Sequence, residues 1–349
     1  MTSPHPQRTV SLIDRFQRVA TDLRVSVIDK CNLRCTYCMP ADGLPWLPKA
    51  MLMTADEIAR LVRIGHHQLG VKELRLTGGE PLVRRDLEEI VAQVRADCPT
   101  LPISMTTNAV GLDRRARSLL EAGMTRLNVS LDSLNPHTFQ ELTRRPFLDQ
   151  VLAGLRAADA AGFAPVKINA VLLHGVNDHE APQLLEWALE SGYELRFIEH
   201  MPLDGDRAWR QDRVVGSADL RESLSRFYTL HPVSESRGGA PAELFDVFDR
   251  PGTGRSLGRV GLISSVTEPF CAACTRTRVT AEGRVRSCLF SHEETDLLSL
   301  IRDGATDSEV SHAWRDAMWR KPRAHGTDRA GFTRESFVQP QRTMSAIGG

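Results

Sequence analysis

The sequence lacks any apolar run long enough to form a membrane-spanning helix. Met1 to Arg8 contain no apolar core of the signal-peptide kind. Neither charge dominates, since 44 Lys and Arg balance 44 Asp and Glu. Nothing global therefore draws the chain to nucleic acid or to a membrane surface, and an anionic ligand must be held by local clusters of Arg and Lys. Internal repeats and low-complexity tracts are missing as well. So is an even set of cysteines: there are seven, six of them in two groups of three. That is no disulfide framework, and in a reducing compartment it reads as metal or cluster ligation. The cytoplasm is the expected location.

What is present is a chain of 349 residues with ordinary globular composition, 41% hydrophobic and 25% charged. That length suits one large core plus a smaller appended unit. After an extended lead-in, strand candidates fall at Leu23–Ile28, Glu73–Thr77, Ile103–Thr107, Arg126–Leu131, Val166–Leu172 and Glu194–Glu199. Helical stretches lie between them. Thr54-Ala55-Asp56-Glu57 is a capping box opening a helix that Gly70 closes. Asp86-Leu87-Glu88-Glu89 is expected to cap in the same way, and Asn135-Pro136 is an N-cap with Pro at the first helical position. Asp178 opens a further helix that Gly192 ends.

Six β–α alternations imply parallel strands with right-handed crossovers and ligands at the carboxyl edge. No G-x-G-x-x-G follows the first strand. That weakens a dinucleotide-binding sheet and favours a barrel or partial barrel. The pattern changes near Arg207, where the helix Ser217–Phe227 sits among Gly- and Pro-rich connections. The expected division is a tail over 1–20, a partial barrel over 21–206 and a C-terminal domain over 207–349.

Cys31, Cys35 and Cys38 form a C-x3-C-x2-C array just after the first strand. Three thiolates at that spacing bind three corners of a cubane cluster and leave the fourth iron open. A zinc site completed from elsewhere is the competing reading, though zinc ligands usually pair as C-x2-C. Thr77-Gly78-Gly79-Glu80-Pro81 ends the second strand. Its glycines admit a close backbone approach, and its carboxylate suits an ammonium group. The second group is Cys271 and Cys274, in C-x2-C, with Cys288 returned beside them by a hairpin, Arg276–Thr280 and Arg284–Ser287. Spacing alone serves a zinc knuckle with His292 equally well, while the absence of a fourth nearby cysteine favours another open iron. Arg276 and Arg278 alternate on one strand and so face one side. Arg24, Arg75, Arg196 and Lys167 sit on other strands. Several guanidinium forks around one cavity suit a triphosphate.

The pair CNLRCTYC and TGGEP resembles the radical S-adenosylmethionine (SAM) superfamily. The resemblance implies a partial (β/α)6 barrel, and a cluster whose open iron is chelated by SAM and whose electron cleaves SAM to a 5′-deoxyadenosyl radical. It further implies that Gly78, Gly79 and Glu80 serve the methionine amino group, that Tyr37 lies near the adenine, and that Ser130 and Met201 line the SAM site. The late C-x2-C-x13-C group with R-x-R and the terminal Gly-Gly sharpen this. Together they resemble the GTP 3′,8-cyclase family of molybdenum cofactor biosynthesis, a likeness covering the chain from Asp22 to Gly349.

That likeness implies two [4Fe-4S] clusters, the second carried by a smaller C-terminal α+β unit and holding the guanine of GTP. Arg24, Arg75, Thr106, Lys167, Arg276, Thr277 and Arg278 would contact GTP, with Arg196 in the same basic cavity, and Gly348 and Gly349 would reach the active site. It also implies an electron donor such as flavodoxin or ferredoxin, and a product passed to cyclic pyranopterin monophosphate synthase; a homodimer is compatible with it. Where many relatives have Thr-Thr-Asn-Gly this chain has Thr106-Thr107-Asn108-Ala109, and Cys98 is left as an ordinary buried thiol. The runner-up is a radical SAM peptide or protein maturase with an auxiliary cluster. An iron–sulfur electron carrier has little use for TGGEP.

Overall fold

A computed structural model describes residues 10–250, 254–328 and 337–347. In chain order the strands are β1 (Leu12–Ile13), β2 (Val19–Ala20), β3 (Asp22–Ser26), β4 (Glu73–Thr77), β5 (Ile103–Thr107), β6 (Arg126–Ser130), β7 (Lys167–Leu172) and β8 (Glu194–Glu199). After these come β9 (Thr229–Pro232), β10 (Glu243–Phe248), β11 (Ser256–Ile263), β12 (Arg276–Val279), β13 (Arg284–Arg286) and β14 (Thr295–Asp296). The helices are α1 (Ala55–Leu69), α2 (Leu87–Asp97), α3 (Ala116–Ala122), α4 (Pro136–Thr143), α5 (Leu148–Ala161) and α6 (Ala181–Glu190). Then follow α7 (Ser217–Ser225), α8 (Leu297–Arg302), α9 (Asp307–Trp319) and α10 (Met344–Ile347).

Strands β3 to β8 lie side by side in sequence order, each parallel to the next, with helices between them. The six expected β/α units are all there. Their strands alternate in chemistry. Leu23, Val25, Leu74 and Leu76 join the hydrophobic core, whereas Arg24, Arg75 and Thr77 line a cavity. A period of two sends these sets to opposite faces of the sheet. One face therefore packs on helices, and the other is polar enough to hold a charged ligand.

The strands beyond residue 207 build no sheet of their own. Strand β12 runs parallel beside β3, setting Arg278 opposite Arg24, and β11 runs parallel beside β8. The hairpins β13–β14 and β9–β10 extend these two edges into one sheet of twelve strands among the described residues. Its outermost strands, β14 and β9, do not pair with each other there, so the barrel is partial. The Gly- and Pro-rich run after Arg207 thus contributes three strands that its composition conceals. The expected tail likewise contains the hairpin β1–β2.

Local signals explain most element ends. The Thr54 capping box is formed and Gly70 closes α1 in the left-handed region. Asn135 caps α4 through its side chain. Asp86 does not cap α2. Its carboxylate is taken by Arg84, at 2.9 and 3.0 Å, while Arg84 also donates to the carbonyl oxygens of Val27 and Met53. Ala109, where many relatives have glycine, has φ 61°. Its carbonyl oxygen lies against Gly154 of α5, where an added Cβ would come within 2.4 Å of it. Cys98 is fully buried in the core. No helix among the described residues is long and apolar enough to cross a membrane.

Gly154 yields a clean test. Helix propensity alone would make Gly154→Ala stabilising by about 1 kcal/mol. The contact with the Ala109 carbonyl oxygen reverses the sign. The variant is expected to lose about 1–3 kcal/mol in chemical denaturation.

Candidate active site

The TGGEP turn and the first cysteine loop are built on one another. Gly79 N donates to Ile28 O and Glu80 N to Lys30 O, both at 2.8 Å. A Cβ on Gly78 would sit 2.3 Å from Ile28 O, and one on Gly79 2.3 Å from Lys30 O. The two glycines are therefore needed for the turn to press against the backbone leading into Cys31. The Glu80 carboxylate is buried and accepts from Leu82 N, Thr107 Oγ1 and Asn108 N, at 3.0, 2.6 and 2.7 Å. Burial pushes it up to about 7 despite those bonds. It thus ties the ends of β4 and β5 together as well as facing the cavity.

Cys31, Cys35 and Cys38 all face that cavity. Burial pushes the Cys31 thiol up to about 12 and Cys38 up to about 11, and Cys35 is raised well above the usual range, by burial first and then by Asp132. Three thiolates there require a cationic partner, which fits the irons of a cluster. Among the described residues no three His, Cys, Asp or Glu side chains gather as ligands of a single ion. A cubane takes each cysteine on a different iron. Tyr37, between Cys35 and Cys38, donates to Asp132 Oδ2 at 2.6 Å, while Asp132 Oδ1 accepts from Val171 N at 2.8 Å. Ser130, Met201 and His200 line the same space. Neither ring nitrogen of His200 has a hydrogen-bond partner among the described residues.

Arg24, Arg75, Arg276 and Arg278 form another part of the cavity wall, with Thr106 and Arg196 also lining it. Register sets Arg278, Arg24 and Arg75 abreast on β12, β3 and β4. Burial, then mutual repulsion, lowers Arg75 and Arg278 from the ordinary guanidinium range. Asp22 lies 3.8 Å from Arg24 Nε. The Nε atoms of Arg24, Arg75 and Arg278 are buried without a hydrogen-bond acceptor among the described residues. A wall of buried, under-paired cations is an anion site. Lys167 and Arg196 differ, since both are held by Glu194, at 3.3 and 2.5 Å. Lys167 stands outside the residues that line the cavity.

The second group lies along this wall. Cys274 and Cys288 both lie close enough to Cys271 to disfavour its thiolate. The three cysteines are not themselves among the residues that line the cavity, but their neighbours Phe270 and Leu289 are. Cys271 is raised by burial. At Cys274 burial is outweighed by Lys321 and Arg276, which hold it down to about 5. His292 is exposed. Thr277 faces the other way. Its Oγ1 accepts from Trp314 Nε1 of α9 at 3.0 Å, on the helix side of β12. Its side chain is not turned to the cavity, because it alternates with Arg276 and Arg278. Near Cys38 stand Met344 and Ser345, which line the cavity, followed by the buried Ile347. Gly348 and Gly349 lie outside the described residues.

A family model described as the radical SAM superfamily matches residues 25–188, and one described as Molybdenum Cofactor Synthesis C matches residues 193–327. The GTP 3′,8-cyclase of Paenarthrobacter nicotinovorans is 60% identical, over 97% of each chain. That of Streptomyces coelicolor is 53% identical, over 97% of this chain and 96% of its own. The chain belongs to the GTP 3′,8-cyclase family. Its radical SAM membership implies an iron–sulfur cluster and SAM. Among solved structures, Streptococcus suis SuiB bound to SAM aligns with a TM-score of 0.58 at 15% identity, over 85% of this chain and 69% of that one, a likeness of fold.

Several residues of this family site carried no signal in the motifs. Asp132 could have been found, since it sits two places after Ser130 at a strand end. Asn108, which donates to Asn32 Oδ1 at 2.7 Å, follows the Thr106-Thr107 pair. Lys321 and Arg18 could not, because both are far in sequence from the cysteine loop they touch. One consequence is measurable. Thr277→Val leaves Trp314 Nε1 unpaired in the core and should cost about 1–3 kcal/mol in denaturation. GTP affinity by equilibrium dialysis should be unchanged; a large loss of affinity at unchanged stability would restore a side-chain role at the ligand.

Proposed function

We propose that this chain converts GTP to (8S)-3′,8-cyclo-7,8-dihydroguanosine 5′-triphosphate, an early step of molybdenum cofactor biosynthesis. The observation that carries the reading is a single cavity faced by Cys31, Cys35 and Cys38 and also by Arg24, Arg75, Arg276 and Arg278. A radical source and a polyphosphate anchor are then parts of one site.

In this reading the first cysteine group holds a [4Fe-4S] cluster and the second group, Cys271, Cys274 and Cys288, holds another. With SAM bound, a cluster held by Cys31, Cys35 and Cys38 would pass one electron from a donor such as flavodoxin or ferredoxin to SAM, which would part into methionine and a 5′-deoxyadenosyl radical. With the ribose C3′ hydrogen lost to that radical as 5′-deoxyadenosine, C3′ would bond to guanine C8, and one further electron from the same donor and a proton would convert the base radical to the dihydro product. The chain's own residues supply position. Gly78, Gly79 and Glu80 present backbone and carboxylate to the SAM amino group, while Tyr37, fixed by Asp132, sits at its adenine end with Ser130 and Met201. The guanidiniums of Arg24, Arg75, Arg276 and Arg278 hold the triphosphate, and Thr106 and Arg196 complete the polar lining, with Lys167 outside it on Glu194. Holding both molecules in one site turns a bimolecular hydrogen transfer into an oriented one. Met344 and Ser345, facing the cavity, support a role for the Gly348–Gly349 tail there.

Anaerobic reconstitution and reduction followed by SAM and GTP should give GTP-dependent 5′-deoxyadenosine and a product convertible to a fluorescent pterin. Deoxyadenosine without GTP consumption would refute the substrate. Cys35→Ser should abolish SAM cleavage while iron and sulfide analysis still finds the second cluster. Replacing Arg276 and Arg278 together should weaken GTP binding about 10²-fold or more, at about 1.5–3 kcal/mol per charged hydrogen bond lost, with slow SAM cleavage retained.

A further inference from the structure

Lys321 follows α9 and is only 2% exposed. An ammonium group has three donors, and all three are accounted for. They go to Cys274 Sγ at 3.2 Å, Cys274 O at 3.3 Å and Arg276 O at 2.8 Å. The only anionic acceptor in that set is the cysteine sulfur, so this buried cation is matched to a thiolate rather than to a carboxylate. Its position is locked from behind. Arg18, buried and paired with Asp14 at 2.6 Å, donates to Pro322 O at 2.6 Å, Arg323 O at 2.8 Å and Cys271 O at 2.9 Å.

The first cysteine group is held differently. Donors to Cys31 Sγ are neutral: Leu33 N at 3.4 Å and Asn108 Nδ2 at 3.9 Å. Its arginine, Arg34, donates to the carbonyl oxygens of Cys31 and Leu33, not to sulfur. The reduction potential of an iron–sulfur cluster depends on net charge, hydrogen bonds to sulfur and exposure. The two groups differ in the first two.

We infer that Lys321 is a positioning residue that raises the reduction potential of the second cluster through its contact with Cys274 Sγ, setting that cluster apart in potential from the first. This rests on the reading that Cys271, Cys274 and Cys288 hold a cluster. The added charge stabilises the reduced, more negative form, while the neutral donors at Cys31 leave the first cluster without that aid.

The test is a redox titration with dithionite, followed by electron paramagnetic resonance, of the full-length chain carrying Cys35→Ser, so that the second cluster alone gives the signal. Lys321→Met removes charge and donors, and Lys321→Gln keeps a donor without the charge. The expected result is a shift of the midpoint to more negative potential in both variants. An unmoved midpoint in both would overturn the role of Lys321. So would variants that melt like the parent yet take up no cluster, which would make Lys321 an assembly residue. A Cys35→Ser parent that takes up no iron or sulfide would instead overturn the second-cluster reading itself.

Discussion

Buried positive charge without enough negative charge is the constraint on which this molecule turns. Arg24, Arg75 and Arg278 stand abreast on adjacent strands, with Asp22 3.8 Å from Arg24 Nε. Unpaired buried charges are among the most costly features a fold can carry. The rest of the sheet is arranged to tolerate them: apolar residues alternate with them and face the helices, and the stability those residues contribute is spent on a polar interior. A polyphosphate bound there, as proposed, would satisfy those Nε atoms and relieve that cost.

The same sheet brings the second cysteine group beside the cavity that the first group faces. The first group follows β3. Cys271 and Cys274 precede β12, which is β3's parallel neighbour, and Cys288 follows β13, so the second group sits at the opposite end of these strands from the first. Although about 240 residues separate them in sequence, the two loops are attached to adjacent strands. Arg276 and Arg278 belong to the second loop's strand and Arg24 to the first's, so the anion wall spans the seam between the two parts of the chain. A C-terminal segment that formed a separate sheet would have divided the site.

Much of this was legible in the residues. The six parallel strands appeared at nearly their observed limits because period and capping are local. Thr54, Gly70 and Asn135 behave as their chemistry dictates, and the cysteine spacings marked both loops. What was not legible is what long-range contacts decide. Asp86 has the right neighbours for a cap but is claimed by Arg84. Thr277 lies between two cavity arginines in sequence and for that reason faces away from the cavity. Strands β9 to β11 hide in a run rich in Gly and Pro although Phe245, Val247, Val260 and Leu262 join the core, because β11 is set in the sheet only by its long-range pairing with β8. Lys321 and Arg18 are ordinary cations until the fold brings them against Cys274 and Cys271.

The central claim is that one cavity brings the carbon radical derived from SAM to the ribose of GTP. Incubating the reconstituted enzyme with GTP deuterated at C3′ tests it most directly. Mass spectrometry should find one deuterium in the 5′-deoxyadenosine released. Deoxyadenosine formed at the rate of GTP consumption but free of deuterium would contradict the account.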